Sequence, residues 1–267
     1  MNIIHMSDLH FLHSNPYLQP DTALRLAGEA LVRDFGETPL VLVISGDITT
    51  HGAVAGFHEA LLSINQNILS RVNVSKTIIC PGNHDIVEGD KGFKEFNKFA
   101  FSLTGSEFQI WNEERPVAIE MHEGYCFLLV NTSAHADYTF GKVPLEALER
   151  ALDEGRTEHQ IVVLHHSPIS SSYGGEGLAD SYELLSLAGK KNCVALLHGH
   201  VHSNQILTIG RQSTIVSGVG SLGFTPDPNM NNQFSTYSFD GDALVRAGTY
   251  RYLGNRRQFE LSELRVD

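Results

Sequence analysis

The chain has 267 residues, of which 42% are hydrophobic and 19% are charged, so it can bury a substantial core. Its 31 acidic residues outnumber the 19 lysines and arginines and give a formal net charge of -12. Such a charge repels a nucleic-acid backbone unless a local basic patch overcomes it, and the sequence has no strong patch of that kind. We therefore expect a single domain over residues 1–267 and find no strong nucleic-acid signal.

The cysteines indicate buried thiols rather than a disulfide framework. Cys80, Cys126 and Cys193 are isolated, odd in number and set in apolar stretches. No segment reaches transmembrane length, and residues 1–6 are too short for the apolar part of a secretory signal. We expect a cytoplasmic protein with no membrane partner.

Short β-rich runs alternate with helical stretches as far as Val201. The predicted strands are residues 3–6, 40–44, 77–80, 126–131, 161–164 and 194–197. The predicted helices are residues 22–35, 55–69, 92–103, 145–152 and 182–187, with Asp21 as the first N-cap and Asp180 with Glu183 as a capping box for the last. This alternation is typical of βαβ units.

The pattern changes after Val201, where strands follow one another without helices. Residues 205–209, 213–216, 236–239 and 243–250 are predicted as successive antiparallel strands, and Asp240-Gly241-Asp242 is a hairpin signal between the last two. Loops are predicted at residues 170–177 and 223–233, bordering a substrate cleft. The whole pattern favours two packed sheets with outer helices.

Residues of the types that bind metals lie where five of the predicted strands end. The segments contain Asp8 and His10; Asp47; Asn83, His84 and Asp85; His165 and His166; and His200 and His202. In open α/β sheets, loops at the carboxyl ends of several strands converge on one point. Each segment alone is consistent with an ordinary turn, but the five together predict one metal site.

The ligand chemistry indicates transition metals. In extended strands, residues i and i+2 share a side, so the Asp8/His10 and His200/His202 pairs would each face one ion. Asp47 adds a carboxylate, which can bridge two cations. Mixed nitrogen and oxygen ligands suit borderline first-row metals better than calcium. The glycines that precede ligands, at positions 46, 82 and 199, permit turns or close approaches that a side chain would obstruct.

Taken in order, these segments resemble the calcineurin-like metallophosphoesterase superfamily. Its pattern is Asp-x-His, Gly-Asp, Gly-Asn-His-Asp or -Glu, a strand-ending His, and Gly-His-x-His, and every element is present between Asp8 and His202. The segments at residues 82–85 and 199–202 are the most specific. The resemblance implies an α/β fold, a four-layer αββα sandwich of two mixed sheets flanked by helices, forming one catalytic domain.

The resemblance also implies a dinuclear centre of two divalent or mixed-valence transition-metal ions, Mn, Fe, Zn or Ni, with a metal-bridging hydroxide as nucleophile. The implied ligands are Asp8, His10 and His202 for one ion, Asn83, His165 and His200 for the other, and Asp47 as the bridge. These sites would make the protein a metal-dependent hydrolase of phosphoester bonds.

Two further residues are catalytic by the same resemblance. His84 would protonate or stabilise the leaving oxygen, and Asp85 would orient His84 or a neighbouring backbone group. Strand alternation allows only one of His165 and His166 to point into the site, and similarity to small cyclic-nucleotide and glycerophosphodiester phosphodiesterases favours His165.

The remaining histidines near or between the motifs divide into two groups. His5, His122, His135 and His159 are expected to be surface residues or satisfied core residues, whereas His13, His51, His58 and His198 are candidates for contacts to substrate or to the ligands. The sequence does not distinguish further among them.

The leading functional hypothesis is a phosphodiesterase acting on a small-molecule phosphoester, such as a cyclic nucleotide or a glycerophosphodiester. The alternatives are a protein or small-molecule phosphomonoesterase; a nuclease, which usually needs a basic track; and a non-catalytic binding scaffold, against which the complete set of ligands argues. Homo-oligomerisation through a C-terminal strand remains open.

Overall fold

Two mixed sheets carry the fold of the computed structural model, which describes residues 1–86, 93–135, 140–155, 159–169, 177–211, 213–224 and 231–264. In chain order, the strands are β1 (Asn2–Met6), β2 (Leu40–Ser45), β3 (Val74–Cys80), β4 (Val117–His122), β5 (Tyr125–Val130), β6 (His159–Leu164), β7 (Ala195–His198), β8 (Gln205–Ile209), β9 (Thr214–Gly218), β10 (Gln233–Asp240), β11 (Ala243–Leu253) and β12 (Gln258–Leu264). The predicted strands are all present, with bounds shifted by a few residues. The prediction of successive antiparallel strands after Val201 is wrong for β9 and β10, which lie in different sheets.

Five helices connect these strands within the described ranges. They are α1 (Pro20–Phe35), α2 (Val54–Ile64), which continues as a π-helical turn over Asn65–Leu69, α3 (Lys94–Thr104), α4 (Leu145–Glu154) and α5 (Ser181–Lys190). A short 3-10 turn covers Asn83–Asp85. None of the described helices is long and apolar enough to cross a membrane.

The first sheet has the strand order β12-β11-β10-β1-β2-β3, with β1, β2 and β3 parallel and the other three strands antiparallel. The second has the order β4-β5-β6-β7-β9-β8, with a parallel centre and an antiparallel strand at each edge. The prediction of two mixed sheets flanked by helices is therefore confirmed. The Gly241-Asp242 hairpin between β10 and β11 is confirmed by the pairing of Asp240 with Ala243.

Alternation within β5 explains how the second sheet packs on both faces. Phe127 and Leu129 belong to the core that contains residues of both sheets, whereas Cys126, Leu128 and Val130 pack with apolar residues of α4 and α5. A strand covered on both sides has no polar face. This explains the continuous apolar run that the sequence shows. All three cysteines are free and buried, as predicted.

Two helix caps differ from prediction. Helix α1 begins at Pro20 after the N-cap Gln19, because proline suits the first helical position. Asp21 instead accepts hydrogen bonds from Ser63 Oγ (2.7 Å) and Asn67 Nδ2 (3.0 Å), which join α1 to α2 and its π-helical extension.

At α5, Asp180 does occupy the N-cap position, but its side chain does not cap the helix. Asp180 Oδ2 accepts the backbone N–H of Val143 at 3.2 Å, so the predicted capping box with Glu183 is wrong. Most of the two predicted cleft loops, residues 170–176 and 225–230, lies outside the described residues.

Candidate metal centre

The carboxyl ends of β1, β2, β3, β6 and β7 meet at one edge shared by the two sheets. The first sheet contributes Asp8, His10, Asp47 and Asn83, and the second contributes His165, His200 and His202. The convergence predicted from the sequence is therefore present, and it draws on both sheets.

The first group of side chains surrounds Asp8, which is fully buried. Asp8 Oδ1 lies 3.1 Å from His202 Nε2 and 3.8 Å from His10 Nε2. Asp8 Oδ2 accepts the backbone N–H of His200 at 3.1 Å. One carboxylate oxygen is thus held by the backbone while the other faces two imidazoles.

Asp47 is held in the same way beside a second group of side chains, which consists of Asn83, His165 and His200. Its Oδ1 accepts the backbone N–H of His84 at 2.9 Å, and its Oδ2 lies 3.2 Å from His165 Nε2 and 3.8 Å from His10 Nε2. His165 Nε2 also lies 3.1 Å from Asn83 Oδ1 and 3.3 Å from His200 Nδ1. Asp47 therefore stands between the two groups, as a bridging ligand would.

Backbone conformation, rather than extended strand geometry, aims these side chains. The residues with left-handed backbone are Asp8 (φ 55°), His10 (φ 48°), Asp47 (φ 53°), His200 (φ 71°) and His202 (φ 53°). Non-glycine residues seldom adopt this conformation, which concentrates at functional sites. The prediction that i and i+2 alternation presents the ligand pairs is wrong, because the strands end first and the chain then turns.

The glycines allow the close approaches that the sequence predicted. A Cβ at Gly82 would lie 2.1 Å from Asp47 Oδ1, and one at Gly199 would lie 1.9 Å from Ser7 Oγ and 2.7 Å from Asp8 Oδ2. Gly46 has φ 93°, where side chains are strained. Glycine is thus needed beside both carboxylates.

The unsatisfied atoms of the site fit metal ions. Both ring nitrogens of His10 are buried without a hydrogen-bond partner in the described structure, although the ring lies between two carboxylates. Ligand atoms of Asp8, His10 and His202 lie within 4.8 Å of one another, as do those of Asp8, Asp47 and His165. A cation in each group would satisfy atoms that otherwise remain unpaired at considerable cost.

Protonated histidines balance the negative charge of the two buried carboxylates. Burial alone opposes ionisation of Asp8 and Asp47. The charge of His202 nevertheless holds the pKa of Asp8 below its usual range, and the charge of His165 does the same for Asp47. Burial likewise favours neutral His165, yet the charge of Asp47 raises the pKa of His165 to about 9. The carboxylate pair therefore demands nearby positive charge, which is the electrostatic condition for a dication site.

His165 already has the orientation of a ligand. Its Nδ1 lies 2.8 Å from the Ser45 carbonyl oxygen, which only accepts, so Nδ1–H donates and Nε2 faces Asp47 and Asn83. His166 differs: its Nδ1 lies 2.7 Å from Thr132 Oγ1. The structure therefore brings His165, rather than His166, together with the carboxylate side chains.

His84 and Asp85 take distinct places. The half-buried His84 has Nδ1 at 2.9 Å from the Thr50 carbonyl oxygen and a ring centroid 5.2 Å from that of His10. Asp85 accepts the backbone N–H groups of Gly82 and Thr49, both at 3.0 Å. Asp85 thus orients backbone, one of the two roles considered for it, and has no described bond to the His84 ring.

The other histidines separate by their partners. His5 Nε2 lies 2.8 Å from Ser45 Oγ, His122 Nε2 lies 3.0 Å from Ser75 Oγ, and His159 pairs with Asp242 at 2.7 Å. His198 is buried with Nδ1 at 3.1 Å from the Gly199 carbonyl oxygen. His51 and His58 are exposed. His135 departs from expectation, since both its ring nitrogens are buried and unpartnered among the described residues.

One wall of the site was missed by sequence reasoning. The ring centroid of Phe224 lies 4.4 Å from that of His13, 5.3 Å from that of His10 and 5.4 Å from that of His202. An aromatic residue at the start of a predicted loop carries no signal for this position. His13, by contrast, was a candidate for substrate contact, and its place beside the Asp8 group is consistent with that role.

The two sheets thus present carboxylates, imidazoles and an amide, all potential metal ligands, at their shared edge. A family model described as calcineurin-like phosphoesterase matches residues 1–204, and the chain belongs to this family. It is therefore a metal-dependent phosphoesterase. No curated protein matches the chain significantly.

Solved structures with low sequence identity share the fold. A purple acid phosphatase from seeds of yellow lupin (Lupinus luteus) has a TM-score of 0.66 and 13% identity over 97% of this chain, which spans only 52% of that one. TT1561 of Thermus thermophilus has a TM-score of 0.56 and 15% identity over 99% of both chains. A single mutant of Vps29 from Entamoeba histolytica has a TM-score of 0.50 and 10% identity over 99% of this chain and 100% of that one.

Proposed function

We propose that this phosphoesterase is a phosphodiesterase of small molecules, such as cyclic nucleotides or glycerophosphodiesters. The observation that carries the proposal is the charge around the centre: both buried carboxylates pair with histidines, and no lysine or arginine pairs with either within the described residues. A phosphodiester bears one negative charge, whereas a phosphomonoester bears nearly two at neutral pH. A centre whose carboxylates have no lysine or arginine partner among the described residues favours the monoanion.

Seven residues are proposed to bind the two metal ions. Asp8, His10 and His202 would hold one ion, Asn83, His165 and His200 would hold the other, and Asp47 would contribute to both. Bound transition metals, with Mn, Fe, Zn and Ni as the candidates, would supply Lewis acidity toward the phosphoryl oxygens and toward an attacking water.

His84 is the residue that we assign to the leaving group. The Thr50 carbonyl accepts Nδ1–H, so Nε2 is the position at which the ring gains and releases a proton. Transfer of that proton to the leaving oxygen neutralises the alkoxide as the phosphorus–oxygen bond breaks. Asp85 supports this step by fixing the Gly82 and Thr49 backbone on either side of the site.

Hydrolysis of bis-p-nitrophenyl phosphate and p-nitrophenyl phosphate tests the proposal. Metal-stripped protein is assayed with manganese, iron, zinc or nickel returned separately, and the Asp47→Asn variant serves as a control for adventitious metal catalysis. We expect metal-restored activity with the higher kcat/KM on the diester. A higher kcat/KM on the monoester would reassign the protein as a phosphomonoesterase.

The other functions have less support. A nuclease would need a basic track, and the chain carries a net charge of -12. Inactivity with every metal would favour a binding scaffold, although the centre retains the full ligand pattern. The single-domain organisation, a cytoplasmic location and a possible homo-oligomer remain predictions.

A further inference from the structure

A second group of unsatisfied polar atoms lies at the carboxyl end of β5, next to the strand that carries His165. Asn131 and Ser133 follow β5 directly and are fully buried, yet Asn131 Nδ2 and Ser133 Oγ have no hydrogen-bond partner in the described part of the chain. The two ring nitrogens of His135, and Nε2 of His166, are likewise buried without a hydrogen-bond partner in the described part of the chain. Native proteins bury few such atoms, so a group of them indicates a binding site.

These atoms adjoin the metal centre. The ring centroid of His166 lies 4.6 Å from that of His200 and 5.2 Å from that of His165. His166 is tied to the segment after β5 by the 2.7 Å contact between its Nδ1 and Thr132 Oγ1. The unsatisfied atoms and the ligand of the second metal position thus belong to one continuous region.

A cavity opens beside them. Its volume is about 340 Å³, and it is lined by Glu113, Pro116, Ala134, His135, Lys142, Val143 and Pro144. Sites for small molecules begin at about 300 Å³. His135 lines this cavity, and its ring packs 4.7 Å from the Phe140 ring. The cavity has room for a small organic group.

The chemistry of the unsatisfied atoms, together with that of the adjoining residues, favours a neutral hydroxylated group. Asn131 Nδ2 is a donor, Ser133 Oγ donates and accepts, and a neutral imidazole offers one donor and one acceptor. A phosphate or carboxylate only accepts and would leave the acceptor unpaired. The cavity also contains both Lys142 and Glu113, so it offers no net positive charge for an anion. Hydroxyl groups, which donate and accept, satisfy the set.

We propose that Asn131, Ser133 and His135 form a subsite that binds the hydroxyl-bearing portion of the phosphoester whose phosphate lies at the metal centre. The inference rests on the proposed function and deepens it. It favours substrates whose alcohol is a glycerol or sugar over those with a purely apolar alcohol, because the latter would leave these atoms unpaired.

Two phosphonates that differ only in their hydroxyl groups test the subsite. Manganese-loaded protein is titrated calorimetrically with 3,4-dihydroxybutylphosphonate and with butylphosphonate, whose carbon–phosphorus bonds resist hydrolysis. Wild-type protein should bind the dihydroxy compound more tightly. Ser133→Ala and His135→Leu should each reduce that preference about 5- to 10-fold, the worth of one hydrogen bond.

Thr214→Val is the matched control. Thr214 Oγ1 is also buried and unpartnered among the described atoms. Thr214 is the first residue of β9 and lies at the amino end of the strand, whereas the metal centre lies at the carboxyl ends. All three variants remove an unsatisfied polar atom, so each should keep or raise the melting temperature. Thr214→Val alone should keep the wild-type preference for the hydroxylated ligand.

The outcomes separate the two proposals. Equal wild-type affinity for both phosphonates would overturn the subsite and leave the phosphodiesterase proposal standing. Binding of neither phosphonate would overturn the subsite, and the hydrolysis of the two p-nitrophenyl esters would still decide the phosphodiesterase proposal on its own. A preference that survives in Ser133→Ala and His135→Leu, or a marked loss of stability in both variants, would show that these polar atoms serve the fold instead.

Discussion

At the scale of single residues, the two metal-site carboxylates are built alike. In each, one oxygen accepts a backbone N–H, from His200 to Asp8 and from His84 to Asp47, and the other faces imidazoles. The backbone bond fixes the carboxylate plane before any ligand arrives, which lowers the entropic cost of binding. It also couples each carboxylate to a residue of another motif.

That coupling separates the roles of His84 and Asp47. His84→Ala keeps the backbone N–H and every ligand, so we expect metal content near that of the wild type. The variant loses the proton donor, and kcat/KM should fall about 10²- to 10⁴-fold for esters with poor leaving groups and much less for p-nitrophenyl esters. His122→Ala, which changes a histidine bonded to Ser75 on β3, is the control. Equal losses for both ester classes would contradict the assignment.

Asp47→Asn should instead lower metal occupancy at both positions, because Asp47 Oδ2 faces both His10 and His165. Metal content after dialysis, measured by mass spectrometry, should fall below that of His84→Ala. Retention of two ions per chain in Asp47→Asn would show that the carboxylate does not bridge.

Buried His5 provides a prediction about acid stability. Burial, with a smaller effect of the His198 charge, lowers the pKa of His5 to about 3, whereas an unfolded histidine has a pKa near 6.5. Between these values only the unfolded chain binds the proton, so the free energy of unfolding decreases as the pH falls, by about 1.4 kcal/mol per unit. His5→Gln should make this dependence shallower between pH 6 and 4 in denaturant titrations. An unchanged slope, matching that of His122→Gln, would contradict the burial effect.

The sequence predicted which residues converge at this edge of the sheets, because a metal site would restrict its ligands to a few residue types at a few strand ends. It did not predict how they are aimed. Left-handed backbone at Asp8, His10 and Asp47 depends on tertiary contacts that no local pattern encodes. The positions of Phe224, Asn131 and Ser133 were missed for the same reason, since each depends on tertiary contacts and none of these residues lies in one of the five ligand motifs.

At the scale of elements, the turns that follow the strands are the most constrained parts of the fold. Gly199 follows β7 and lies so close to Ser7 and Asp8, just beyond β1, that a methyl group would displace them. The contact joins the carboxyl ends of strands from different sheets. A glycine here therefore sets how closely the two sheets approach beside the site.

Gly199→Ala should destabilise the protein by about 1–3 kcal/mol, as overpacking does, and should weaken metal binding by shifting Asp8. Gly189→Ala is the control: a Cβ there meets nothing within 4 Å, and its place in α5 should make alanine stabilising by about 0.5–1 kcal/mol. Chemical denaturation with and without manganese measures both effects. Equal stabilities for the two variants would refute the proposed close approach.

Two elements escaped prediction, and both are edge strands. In β4, Glu120 is buried and pairs with Lys76, and it accepts a hydrogen bond from Ser106, so a charged residue occupies an inward position and breaks the apolar alternation. In β12, exposed polar residues alternate with few apolar ones. Edge strands have one neighbour and solvent on the other side, so their patterns are weak.

At the scale of the whole molecule, the centre joins two sheets that also meet through apolar packing and through polar contacts such as the Lys76–Glu120 ion pair. Ions held by Asp8 and His10 from one sheet and by His165 and His202 from the other would act as a clamp between them. Because only the folded chain assembles this set, bound metal stabilises the folded state.

Removing the metals should therefore lower the melting temperature. At a free metal concentration about 100 times the Kd, binding contributes about 2.7 kcal/mol, which corresponds to a shift of several degrees for a chain of this size. Scanning calorimetry of metal-stripped protein, before and after manganese is returned, measures the shift. Asp47→Asn should show little of it, and a full shift in that variant would place the stabilising ion elsewhere.

The position of β1 has a consequence for how the protein is made. This strand leads directly to Asp8 and lies between β2 and β10, with Ile3 paired to Tyr237. On the ribosome, β1 emerges tens of seconds before its neighbour β10, at usual rates of synthesis. Until β10 emerges, the edge of β1 that will pair with it is open to other nascent strands. We therefore expect the first sheet to be completed late, and β1 to be the segment that benefits most from a chaperone.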